Sequence, residues 1–136
     1  MEEILEQISQ YSSGSAIIIG ETARYLNGYS TSPNRTWIDI SISSENNSLL
    51  DNLGSKVEVS NQTFPSPILY QSIIKTSNGY ILNILTQDET PEYNNISGSN
   101  VITPLADLNL HINISSSFPS PFIHQRILDI KELYNL

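Results

Sequence analysis

Residues 16–19, AIII, are apolar at every position, three of the four β-branched, and Gly20 closes the run. A strand with one wet face alternates, whereas a strand apolar throughout must be covered on both faces. The run is therefore expected at the centre of a sheet with structure packed on each side. Glu21–Asn27 then reads as a short helix with Ala23 and Leu26 facing inward, and Gly28 offers the left-handed residue that ends it. After a polar loop over Tyr29–Arg35, Trp37–Ser43 places Ile38, Ile40 and Ile42 on one face and Asp39 and Ser41 on the other. The second face of this strand is polar by design.

The remaining elements follow from periodicity and punctuation. Ile4, Leu5, Ile8 and Tyr11 recur at helical spacing, which predicts an amphipathic first helix over Met1–Tyr11 that stops in Ser12–Ser15. Leu49, Leu50 and Leu53, with Ser43 or Ser44 as cap and Gly54 as stop, predict a helix after the second strand. Lys56–Ser60 is expected as a short strand. Ile68–Thr76 and Tyr80–Thr86 flank Ser77, Asn78 and Gly79, a hairpin signal. Gln87–Asn100 is expected to be a polar loop. Over 105–115 two rules conflict: Thr103-Pro104 reads as an N-cap and first helical residue, but LNLHINIS alternates as a strand does. A helix is the expectation there. Ser120-Pro121 opens a last helix with Phe122, Ile123, Ile127, Ile130 and Leu133 on one face. Residues 1–136 thus predict a single domain of α/β (α+β) class, a mixed β-sheet flanked by helices.

Charge and composition narrow the function. Fourteen acidic against six basic residues give a net charge of −8, and Arg24, Arg35, Lys56, Lys75, Arg126 and Lys131 are scattered. Such a chain repels phosphate backbones, so a nucleic-acid partner is not expected. There is no cysteine, hence no disulfide and no thiolate metal site. MEEILEQISQ lacks the basic-then-apolar pattern of a secretory signal, and no apolar run approaches the roughly 20 residues that cross a bilayer. A cytoplasmic or virion location is expected, without membrane contact. The Asn-X-Ser/Thr triplets at Asn34, Asn46, Asn61, Asn95 and Asn113 are what a chain rich in Asn and Ser produces by chance.

Three segments together carry a resemblance: Gly20-Glu21-Thr22-Ala23, Tyr25-Leu26-Asn27-Gly28, and Arg35-Thr36-Trp37-Ile38-Asp39-Ile40-Ser41-Ile42, with Asp129-Ile130-Lys131-Glu132-Leu133 near the other end. The pattern resembles the minimal nucleotidyltransferase family, including its abortive-infection and toxin-antitoxin members. That resemblance implies a nucleotidyltransferase-like fold, a phosphate-contacting turn at Gly20, Glu21 and Thr22, and two Mg²⁺ ions held by three carboxylates. Two of those carboxylates stand in an Asp-h-Asp strand, h being apolar, and one on a later strand. Residues two apart on a strand share a face, which is why that spacing is needed.

The departures matter more than the matches. The first carboxylate position is Asp39, the second is Ser41, and the candidate for the third is Asn83. Neutral oxygens bind Mg²⁺ facing a triphosphate weakly, because the metal charge needs anionic ligands to offset it. Glu21 stands where the family has Gly or Ser, placing a carboxylate in the electropositive spot a phosphate would take. The expectation is a catalytically degenerate nucleotidyltransferase-like domain that serves as a protein-interaction or assembly component, for instance a viral or phage structural protein, with a protein partner or a second copy and no cofactor. The alternatives are a divergent enzyme using Mg²⁺ and a nucleoside triphosphate, with Asp39 joined by Asp88 or Glu89 as ligands, and nucleotide binding without turnover.

Each candidate also has a plainer role. Asp39 is expected to hydrogen-bond Ser41, Asn83 or a backbone amide, and Glu21 to cap its helix. His111 and His124 are expected at surface or interface positions, and Arg126 and Asp129 as an intrahelical ion pair.

Overall fold

The computed structural model describes residues 1–29, 36–59 and 63–136. Most of the expected Tyr29–Arg35 loop, Arg35 itself, Asn34, Asn61 and the end of the Lys56–Ser60 strand lie outside the described residues. Among the described residues there are four α-helices and seven strands: α1 (Glu2–Tyr11), β1 (Ile17–Ile19), α2 (Gly20–Leu26), β2 (Trp37–Ser43), β3 (Gly54–Glu58), β4 (Ile68–Thr76), β5 (Ile81–Gln87), β6 (Tyr93–Ile96), β7 (Ser99–Ile102), α3 (Pro104–Ser117) and α4 (Pro121–Tyr134). The strands form one mixed sheet in the order β3-β4-β5-β2-β1-β7-β6. β1 runs antiparallel to β2 and parallel to β7, and β2 runs parallel to β5.

The central position of β1 agrees with its apolar run, and Ile17, Ile18 and Ile19 are all buried. Around it Ile38, Ile40, Ile42, Ile74, Leu82 and Ile84 join α1 (Ile4, Leu5, Ile8), Ala23, Leu50 and Leu110 in one core. α2 ends as expected: Ala23 is buried and Gly28 adopts φ +85°.

Two expected elements differ. No helix follows β2; single 3₁₀ turns at Ser44–Asn46 and Asp51–Leu53 take its place. Asn46, Asn47, Ser48, Asp51 and Asn52 favour local side-chain bonding over helix, and the Ser43 hydroxyl accepts from Asn46 instead of capping. Leu50 and Leu53 are buried all the same, while Leu49 is exposed. Gly54 ends the second 3₁₀ turn and at once begins β3, with an extended backbone opposite Thr76. Glycine is required there because a Cβ would run into the backbone carbonyl of Lys75. The segment expected as a loop over Gln87–Asn100 contains the β6–β7 hairpin, whose two turn residues Ser97 and Gly98 have φ of +52° and +89°. Those are the positive-φ values of the tightest right-twisted hairpin turn.

At 104–117 the helix forms. Thr103 Oγ1 accepts from the Ala106 amide at 3.2 Å and Pro104 sits at the first position, which outweighs the alternating pattern. Ser120 caps α4 in the same way, accepting from Ile123. α3 and α4 pack through Leu108, Ile130 and Tyr134, with Ile127 alongside. The expected apolar face of α4 is only partly used: Ile130 is buried, whereas Phe122 is 86% exposed and Leu133 38%.

Candidate functional site

The parallel pairing of β2 with β5 sets Asp39 directly beside Asn83, and strand alternation turns both to the face opposite Ile38, Ile40, Leu82 and Ile84. Asp39 and Asn83, as expected, touch. Asn83 Nδ2 donates to Asp39 Oδ1 at 2.9 Å, and Trp37 Nε1 donates to the same oxygen at 2.7 Å. Gln71, reaching across from β4, donates to Asn83 Oδ1 at 2.7 Å. A carboxylate only accepts, so the Asn83 amide nitrogen must face it and the amide oxygen must face Gln71. Ser41 stands apart from this chain: its buried hydroxyl accepts from Gln87 at 2.7 Å.

Gly20 completes the group from the start of α2. Its φ is +69°, and a Cβ there would lie 2.5 Å from Asp39 Oδ2. One carboxylate oxygen thus receives two N–H donors while the other occupies the space a Cβ on Gly20 would need. Glu21 does not cap α2, which has no side-chain cap bond; it is exposed in the first turn, where its charge meets only the helix dipole. Thr22 is buried and its hydroxyl has no partner among the described residues.

The donor set can be weighed against the Mg²⁺ pair that the fold family implies. One carboxylate is present, its Oδ1 is already bonded to two N–H groups, the nearest amide presents nitrogen to it, and the Ser41 oxygen is occupied by Gln87. Among the described residues no three His, Asp or Glu side chains are grouped to hold a metal ion. These residues do not fit two divalent cations, whose dense charge calls for several anionic oxygens. A groove of about 890 Å³ lies elsewhere, between α1, α2 and the β6–β7 turn, and none of Gly20, Asp39, Ser41 or Asn83 lines it.

A second polar cluster was not legible in the sequence. Asp107, on α3 and fully buried, accepts two bonds from the Arg24 guanidinium of α2 (3.1 and 3.2 Å) and one from the Tyr134 hydroxyl of α4 (2.8 Å). Burial alone would raise the Asp107 carboxyl, but the His111 bond, the Arg24 charge and the Tyr134 bond together hold it below its ordinary value. The Tyr134 phenol is pushed up by burial and by the neighbouring Asp107 charge. His111 is correspondingly no surface residue: its side chain is mostly buried and Nδ1 lies 2.9 Å from the Asp107 carbonyl oxygen. His124 is exposed as expected. Nor do Arg126 and Asp129 pair; Asp129 accepts from Gln125. Arg24, Asp107 and Tyr134 are too far apart in sequence for any periodicity to join them.

The mixed sheet with its flanking helices has a fold similar to that of a solved nucleotidyltransferase. A solved structure similar to this one is the nucleotidyltransferase ANT(2'')-Ia in complex with adenylyl-2''-tobramycin, with a TM-score of 0.57 and 12% identity over 95% of this chain and 84% of that one. No family model matches the sequence and no curated protein does, so the narrower abortive-infection affiliation has no support of its own.

Proposed function

We propose that this chain is a nucleotidyltransferase-fold domain that transfers no nucleotide and works through association with protein. The observation that supports this reading is the bonding at Asp39. The position where the family gathers charge for metals holds one carboxylate, one of whose oxygens accepts from both Trp37 and Asn83, and the chain of bonds continues to Gln71 through neutral amides. A satisfied network of this kind stabilises a fixed arrangement and leaves no anionic pair facing a ligand.

The test is calorimetry and radiolabel transfer with ATP, CTP, GTP and UTP in Mg²⁺ or Mn²⁺. Neither heat nor transfer is expected. Metal-dependent transfer abolished in Asp39→Ala would overturn the proposal in favour of a divergent enzyme. Metal-independent binding that survives Asp39→Ala would replace it with nucleotide binding without turnover.

A further inference from the structure

α4 carries two parallel seams of the same spacing. Ile123, Ile127, Ile130 and Tyr134 face the body of the protein, and Ile130 and Tyr134 are buried there. Phe122, Arg126, Asp129 and Leu133 form the other, all four exposed. At 100° per residue these four fall within about 60° of the helix circumference. The 4-3-4 spacing sets the four side chains in one row along the helix, apolar at both ends and charged in the middle. Phe122, at 86% exposure, is the kind of aromatic that dominates an interface once covered.

The order of residues in this seam identifies its occupant. It reads apolar, cation, anion, apolar. Laid antiparallel on a copy of itself about a two-fold axis, Phe122 meets Leu133 of the copy and Arg126 meets its Asp129, and each contact occurs twice. That is the self-complementarity an isologous dimer requires. Laid parallel and in register, Arg126 would meet Arg126 and Asp129 would meet Asp129, so like charges exclude that orientation. Among the described residues Arg126 has no ion pair, and its guanidinium is available for one.

Resting on the reading of this chain as an association domain, we infer that its partner is a second copy of itself, docked antiparallel through Phe122, Arg126, Asp129 and Leu133 of α4. Two large apolar side chains per helix make a small interface, so the dimer is weak and concentration-dependent.

Sedimentation equilibrium over a concentration series tests it, with circular dichroism confirming that each variant folds. The wild type is expected to pass from monomer to dimer. Arg126→Asp and Asp129→Arg, each of which sets like charges opposite one another, should weaken association at least about tenfold, and the double reversal should restore it to within about threefold. A monomer at every concentration overturns the inference, as does a dimer indifferent to the single reversals or not recovered by the double. Nucleotide transfer would sink the association reading and leave the dimer standing; a monomer without nucleotide transfer would sink the dimer alone.

Discussion

Gly20→Ala measures how tightly α2 is seated on Asp39. Glycine at φ +69° permits a left-handed backbone that costs an L-residue about 1–2 kcal/mol. Alanine recovers about 0.4–1 kcal/mol by restricting the unfolded chain, so the backbone contribution is about 1 kcal/mol net. The new Cβ would also lie 2.5 Å from Asp39 Oδ2 and 3.2 Å from its Cβ and Cγ. The carboxylate escapes by rotating away from Trp37 and Asn83. Bonds to charged groups contribute about 1.5–3 kcal/mol each, and since Asp39 is half-buried and water replaces part of the loss, about 2 kcal/mol for the pair is reasonable. The total is about 3 kcal/mol, a large fraction of a domain's stability. In an Asp39→Ala background the carboxylate is gone and only about 1 kcal/mol should remain, leaving a coupling of about 2 kcal/mol between the sites. Urea unfolding of the four proteins, followed by circular dichroism and by the fluorescence of Trp37, the single tryptophan, gives both numbers. Equal costs in the two backgrounds would refute the seating argument.

Two further outcomes follow from the packing. Because Asp107 is held below its ordinary value in the folded state, its contribution to stability is complete above the unfolded value of about 3.9 and is lost as pH falls through the folded one. Arg24→Met should cost about 3–5 kcal/mol at neutral pH by stranding a buried carboxylate, and should flatten the acid limb; melting temperatures across the acid range would show both. Gly54→Ala is expected to cost about 1–3 kcal/mol through overpacking alone, since its extended backbone suits any residue, and to loosen β3 from β4. Proteolysis at β3 that is no faster than in the wild type would contradict this.

Local chemistry made much of the fold legible. The unbroken apolar run placed β1 at the centre, the alternation of β2 placed Asp39 and Ser41 on the polar face, and Asn-Gly marked the β4–β5 hairpin. What failed, failed where local signals were weak. The β6 strand YNNI lies at the sheet edge, where burial asks little of sequence, and within a segment as polar as Gln87–Asn100 the Ser97-Gly98 turn does not stand out. The helix expected before Gly54 had its leucines but too many short polar residues between them. Of the site, the Asp39–Asn83 contact was foreseeable only through the family resemblance, while Trp37 and Gln71 as its further partners, and the Arg24–Asp107–Tyr134 cluster, depend on tertiary register.

The bonding of Asp39 also bears on what an aspartate at this position reports. Position 39 has reasons to be aspartate that owe nothing to metal: it accepts from an indole and an amide, and it fits beneath a glycine that admits no side chain. In this chain the aspartate at the head of the strand is therefore held by structural contacts of its own. Two residues further along the same strand stands the buried hydroxyl of Ser41.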